Sequence, residues 1–146
     1  MKRQSVWLAS LVAVVALLLL SGCANNAPRF VDEGKSYSAD AALELPIDIN
    51  AGAVAGRPVG EADKLRTDAL AALRRQGGDK ADVAAVITKS LPNNSRGVPF
   101  YVELAEVDSV PAIIVIEAIG PKKGTLEDKR VWVLDRNGKI LLMGNR

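Results

Sequence analysis

The chain has 146 residues, about half of them hydrophobic, with 19 Lys and Arg against 17 Asp and Glu, no histidine and a single cysteine. Without histidine there is no Ser-His-Asp or Cys-His machinery and no His/Cys zinc centre, and one cysteine cannot close a disulfide within the chain. A net charge of +2 with no basic stripe excludes a nucleic-acid binder.

Lys2 and Arg3 precede a run from Val6 to Leu20 that contains no charge and one polar residue, Ser10. A permanent transmembrane helix needs about 20 apolar residues, so this shorter run reads as the apolar region of a cleavable signal peptide. Leu20-Ser21-Gly22-Cys23 follows it directly and resembles the lipobox of bacterial lipoproteins. That resemblance implies cleavage before Cys23, diacylglycerol on its thiol, and attachment to a membrane through lipid alone. Two or more acyl chains on one residue hold a protein stably, whereas one gives only reversible binding. Ala24 stands where, in the enterobacterial pattern, an aspartate would favour the inner membrane, so the resemblance implies the outer membrane, facing the periplasm. Loss of residues 1–22 removes Lys2 and Arg3 and leaves 17 basic against 17 acidic residues, a formal charge of zero. Acylation also removes the one thiol, and no metal or cofactor is expected.

Residues 23–42 read as a lipidated tether, small and polar apart from Phe30, Val31 and Tyr37. From 43 the chain reads as one small domain. Leu43, Leu45, Ile47 and Ile49 alternate with Ala42, Glu44, Pro46 and Asp48, the pattern of a strand that Pro46 confines to an edge. Gly52, Gly56, Pro58 and Gly60 mark a loop. The spacing of Leu65, Ala69, Ala72 and Leu73 predicts a helix over 61–76, with Glu61 and Asp63 in its first turn, Arg74 and Arg75 in its last, and Gly77 as its left-handed stop. Asp79 is the expected N-cap of a second helix, in which Val83, Val86, Ile87 and Leu91 recur before Pro92.

The last third predicts two hairpins. Runs 98–107 and 110–119 meet at Asp108-Ser109, and runs 131–136 and 139–143 meet at Asn137-Gly138. The expected fold class is α+β: a two-helix hairpin packed on a four-stranded antiparallel meander, with an added N-terminal edge strand. If the hairpins join in matching register, Val98, Phe100, Val102, Leu104, Val115, Val131, Val133 and Leu142 seat the helices. Alternation then puts Tyr101, Ile114, Ile116, Trp132, Leu134, Leu141 and Met143 on the opposite face, with Glu103 as their one charged neighbour. A solvated sheet face is mostly polar, so this one is covered either by the segment around 43–49 or by a partner protein.

Glu117 is the most interesting remaining group, since it shares a strand side with Ile113, Val115 and Ile119. Buried there, it is either a general acid or base with a raised pKa or, on the stronger reading, a structural carboxylate paired with Lys or Arg. The Gly120–Asp128 segment, with Lys122 and Lys123, lacks the spacing and the following helix of a phosphate loop, and reads as a surface loop that touches lipid head groups or a partner. These features point to a membrane-tethered, non-enzymatic envelope protein that binds or scaffolds another. The alternative is a small envelope hydrolase with a carboxylate or serine site.

Overall fold

The computed structural model describes residues 26–92 and 96–146, so the expected signal peptide, the lipobox-like Leu20-Ser21-Gly22-Cys23 pattern and the expected lipidation site Cys23 lie outside the described residues. Among the described residues, two long helices, one short helix and five strands form an α+β fold. β1 (Arg29–Tyr37) is followed by the short helix α1 (Ala39–Leu43), two single 3₁₀ turns at Ile49–Ala51 and Val59–Glu61, and the helical pair α2 (Ala62–Arg75) and α3 (Gly78–Ser90). The strands β2 (Val98–Val107), β3 (Val110–Ile119), β4 (Asp128–Asp135) and β5 (Ile140–Asn145) complete the chain.

The sheet runs β1-β2-β3-β4-β5 in chain order; β1 is parallel to β2, and every other pairing is antiparallel. Asp108 (φ 50°) and Ser109 (φ 66°) form a two-residue turn with both residues left-handed, the geometry that matches the twist of the flanking strands. The β4–β5 connection is one residue longer than Asn137-Gly138 suggests. Gly138 N–H donates to Asp135 O, the Asp135 carboxylate accepts from the N–H groups of Asn137 and Lys139, and Gly138 sits at φ 92°. This is a turn closed by a left-handed glycine, so Ile140 faces Leu134 and not Asp135.

The added strand is not where the alternating pattern puts it. Residues 43–49 form no strand: Ser38 caps α1 through Ala41 N–H, and the chain then runs irregularly past Pro46. The fifth strand comes from residues 29–37, expected as tether. An edge strand buries little, and here only Val31 is buried, which is why its composition reads as polar linker. The α2 and α3 boundaries lie within one or two residues of expectation, but α3 is preceded by Gly77 (φ 74°) as N-cap, and Asp79 falls in its first turn without a capping bond.

The sheet is apolar on both faces, and the chain itself covers both. One face carries Val102, Leu104, Ile113, Val115, Trp132 and Leu134 under Leu70, Leu73, Val83 and Ile87 of α2 and α3. The other carries Tyr101, Ile114, Ile116, Val131 and Val133, and Leu43, Leu45, Ile47, Ile49 and Val54 pack onto it. The apolar alternation of 43–49 thus serves as a lid and not as a strand. Trp132 and Leu134 are exchanged with Val131, Val133 and Leu142 relative to expectation, because Val115 pairs with Trp132 and Ile116 with Val131. A one-residue offset flips a whole strand, and the offset is set by the 120–127 connection, where buried Leu126 bonds Gly56 and Arg57 and Thr125 bridges Pro58. A bulge between Pro99 and Tyr101 likewise moves Val98 and Phe100 to the second face.

Gly138 occupies a position that rejects a side chain on two counts, since a Cβ would lie 2.1 Å from Ser90 Oγ. Gly138→Ala is expected to cost about 1–2 kcal/mol from the left-handed backbone alone, and more if the Ser90 side chain cannot turn away. Urea unfolding of G138A beside G138A/S90A separates the two contributions: the double variant should recover the collision and keep the backbone cost.

Candidate functional site

Glu117, the one catalytic possibility legible in the sequence, is fully buried on the helix-covered face. Arg66 of α2 donates Nη1 to Oε1, while Oε2 accepts Arg130 Nη2 (3.0 Å), Arg130 Nε (3.2 Å) and Trp132 Nε1 (2.8 Å). Arg66 Nη1 also reaches Gly97 O at 3.3 Å, and the Arg130 guanidinium stacks 5.1 Å from the centre of the Trp132 ring. Its two oxygens accept four hydrogen bonds from two cations and an indole, which ties the carboxylate to α2 and β4. A general base must reach the proton that it removes. Glu117 instead holds a helix to a sheet.

Glu103 is equally buried on the opposite face. Tyr37 OH donates to its Oε1 (3.0 Å) and Tyr101 OH to its Oε2 (2.7 Å). Desolvation, reinforced by these bonds to a carboxylate, pushes both phenols above the ordinary tyrosine range, Tyr101 the further. Tyr37 belongs to β1 and Tyr101 to β2, so the pair clamps the edge strand to the sheet. Among the described residues no group of three or more His, Cys, Asp or Glu side chains could hold a metal ion.

Of the seven residues with which the sequence marks a partner surface, five (Tyr101, Ile114, Ile116, Trp132 and Leu134) are buried by the chain's own helices or lid. Leu141 and Met143 remain. They lie on β5 with Ile140, and these three are 36 %, 49 % and 41 % exposed respectively. Single exposed apolar residues are ordinary, but three in one six-residue strand make a patch.

The two edges of the sheet differ in how they are protected. β1 carries Arg29, Asp32, Glu33 and Lys35 and is broken by a register shift at Glu33-Gly34. Such charges and bulges prevent further pairing. β5 has no charged residue, and Lys139 and Arg146 flank it. Lys129 and Arg146 exchange both backbone hydrogen bonds at 2.7 Å, which fixes the phase of the ladder. By alternation, Met143 and Asn145 turn their own N–H and C=O groups toward the open side. The candidate site is therefore a backbone edge, of which the sequence reading marked only Leu141 and Met143. Compared with known proteins, the chain matches no family model, no curated protein and no solved structure.

Glu117→Gln is expected to destabilise the protein by about 3–5 kcal/mol, because the buried Arg66 charge loses the carboxylate that it faces. Chemical denaturation checks this, and E117Q/R66M should regain part of the loss by removing that charge. A second outcome concerns pH. Tyrosines ionise near pH 10 when unfolded but higher in the fold, so the folded chain holds protons that the unfolded one releases. Their contribution to stability is complete below about pH 10 and declines as pH rises toward the folded values. Unfolding midpoints from pH 8 to 11 should fall less steeply in Tyr101→Phe than in the parent.

Proposed function

We propose that this chain is a non-enzymatic envelope lipoprotein, held by lipid on Cys23 at the periplasmic side of the outer membrane, that docks another envelope protein along the open edge of β5. The observation that carries the docking is the contrast in charge between the two edges: β1 carries four charged side chains, whereas β5, which is also bulged where Ile140 and Leu142 face Leu134 and Val133, carries none. The anchor rests on the leader and the Leu20-Ser21-Gly22-Cys23 pattern.

The occupant is an extended segment of the partner, added as a sixth strand. Backbone hydrogen bonds supply affinity in this mode, and alternate side chains supply selectivity. Lys139 lies at one end of β5 and Arg146, which also pairs with Glu44, at the other. An antiparallel second copy would bring like charges together, so the matching segment is apolar with acidic flanks.

A photo-reactive residue at position 143 of the full chain tests this in growing cells, with position 36 on the β1 edge as control. The expected result is one discrete adduct from position 143 only, whose cross-linked peptide has Asp or Glu beside an apolar stretch. An adduct of twice the chain mass, equal labelling from both positions, or no adduct at all overturns the docking. The anchor is checked on the same material: the peptide that begins at Cys23 should carry the mass of a diacylglyceryl group.

A further inference from the structure

We infer that the folded domain sits directly against the bilayer, with the end of the sheet that carries Arg29, Arg96, Lys122 and Lys123 against anionic lipid head groups. This rests on the lipid anchor at Cys23 and adds an orientation to it.

The first observation is length. Pro28 is buried and Arg29 opens β1, so the tether is far shorter than the composition of residues 23–42 suggests. Five residue steps from Cys23 to Pro28 reach at most about 18 Å, and less if the chain bends. A domain on so short a leash stays within about one domain radius of the lipid surface.

The second observation is direction. β1 begins at the end of the sheet where β2 and β4 begin and where β3 and β5 finish, as the pairs Arg29 with Tyr101, Tyr101 with Ile116 and Ile119 with Asp128 require. That end therefore carries the 120–127 connection, the residues just before β2, and Arg146. The Asp108-Ser109 turn and the Asp135–Lys139 turn lie at the opposite end.

The third observation is charge. Residues 120–146 hold seven Lys and Arg against three acidic residues, whereas residues 24–119 hold ten against fourteen, so the neutral total conceals a segregated chain. At the tether end Arg57 pairs with Glu61 and Arg146 with Glu44, and Lys129 donates to Ile47 O. Arg29, Arg96, Lys122 and Lys123 are exposed there, against Asp48, Glu127 and Asp128. Basic side chains are attracted to an anionic surface within a Debye length of roughly 8–10 Å. Lys122 and Lys123 project from a loop whose base is stitched to Gly56, Arg57 and Val59, which holds them at this end.

Spin labels on the lipidated full chain, reconstituted in vesicles, decide the matter. One label is placed at Lys122→Cys and one at Asn137→Cys, which is exposed at the opposite end. In phosphatidylglycerol-containing vesicles, access of a water-soluble nickel chelate to the label at 122 should fall several-fold below that at 137. In phosphatidylcholine vesicles the difference should shrink. Equal access at both positions in anionic vesicles overturns the orientation, and equal protection at 122 in both lipids overturns the role of anionic head groups. The wild-type chain keeps the anchor itself separable: an acylated Cys23 takes no label. Labelling there would mean that the anchor has failed, and the inference with it.

Discussion

One fully buried carboxylate joins the layers of this protein. Glu117 receives Arg66 from α2, Arg130 and Trp132 from β4, and lies beside Gly97 at the entry to β2, where a Cβ would come within 2.3 Å of its Oε2. Burying a charge this deeply is unfavourable unless its lone pairs are filled, and here they are filled by groups from separate elements. The α2 helix can occupy only the rotation that brings Arg66 over Glu117. That rotation also turns Leu70 and Leu73 onto Val102, Val115 and Trp132. The specificity of helix placement therefore comes from a polar set, and the bulk of the burial from the aliphatic side chains around it.

The second face solves the same problem with different materials. Of the long helices only the start of α2 reaches it, through Ala62 and Leu65; α1, an irregular run and two 3₁₀ turns lay Leu43, Leu45, Ile47, Ile49 and Val54 across the sheet. Irregular chain leaves many backbone groups to satisfy, and several are met by the 120–127 connection, which trades hydrogen bonds with Gly56, Arg57 and Val59. Glu103 and its two tyrosines secure the margin where β1 meets β2. Each face thus has one buried carboxylate, neutralised by cations on one side and solvated by phenols on the other.

The helical pair and both hairpins were legible because periodicity, the acidic and basic ends of α2, and the turn residues all pointed the same way. The sheet face of Trp132 was not, since it depends on the parity of a connection whose length is set by contacts with the 52–60 loop, far away in sequence. β1 was hidden for the opposite reason: as an edge strand it buries only Val31, so nothing in Arg29–Tyr37 distinguishes it from a polar linker. Glu117 could be recognised as a carboxylate on an apolar strand side and as an expected ion-pair member, but Arg66 and Arg130 as its partners could not, being 51 and 13 residues away. The open β5 edge was only half visible, through Leu141 and Met143.

The parallel pairing of β1 also sets an order of assembly. Arg29 meets Tyr101 across more than seventy residues, whereas β2 to β5 are joined successively by short turns and one loop. Closing the long loop costs on the order of 3 kcal/mol more than closing a two-residue one, and no contact repays this until β2 exists. The meander at the C-terminal end must therefore nucleate the fold, with the helices condensing onto it. The strand nearest the N-terminus is synthesised first and joins last.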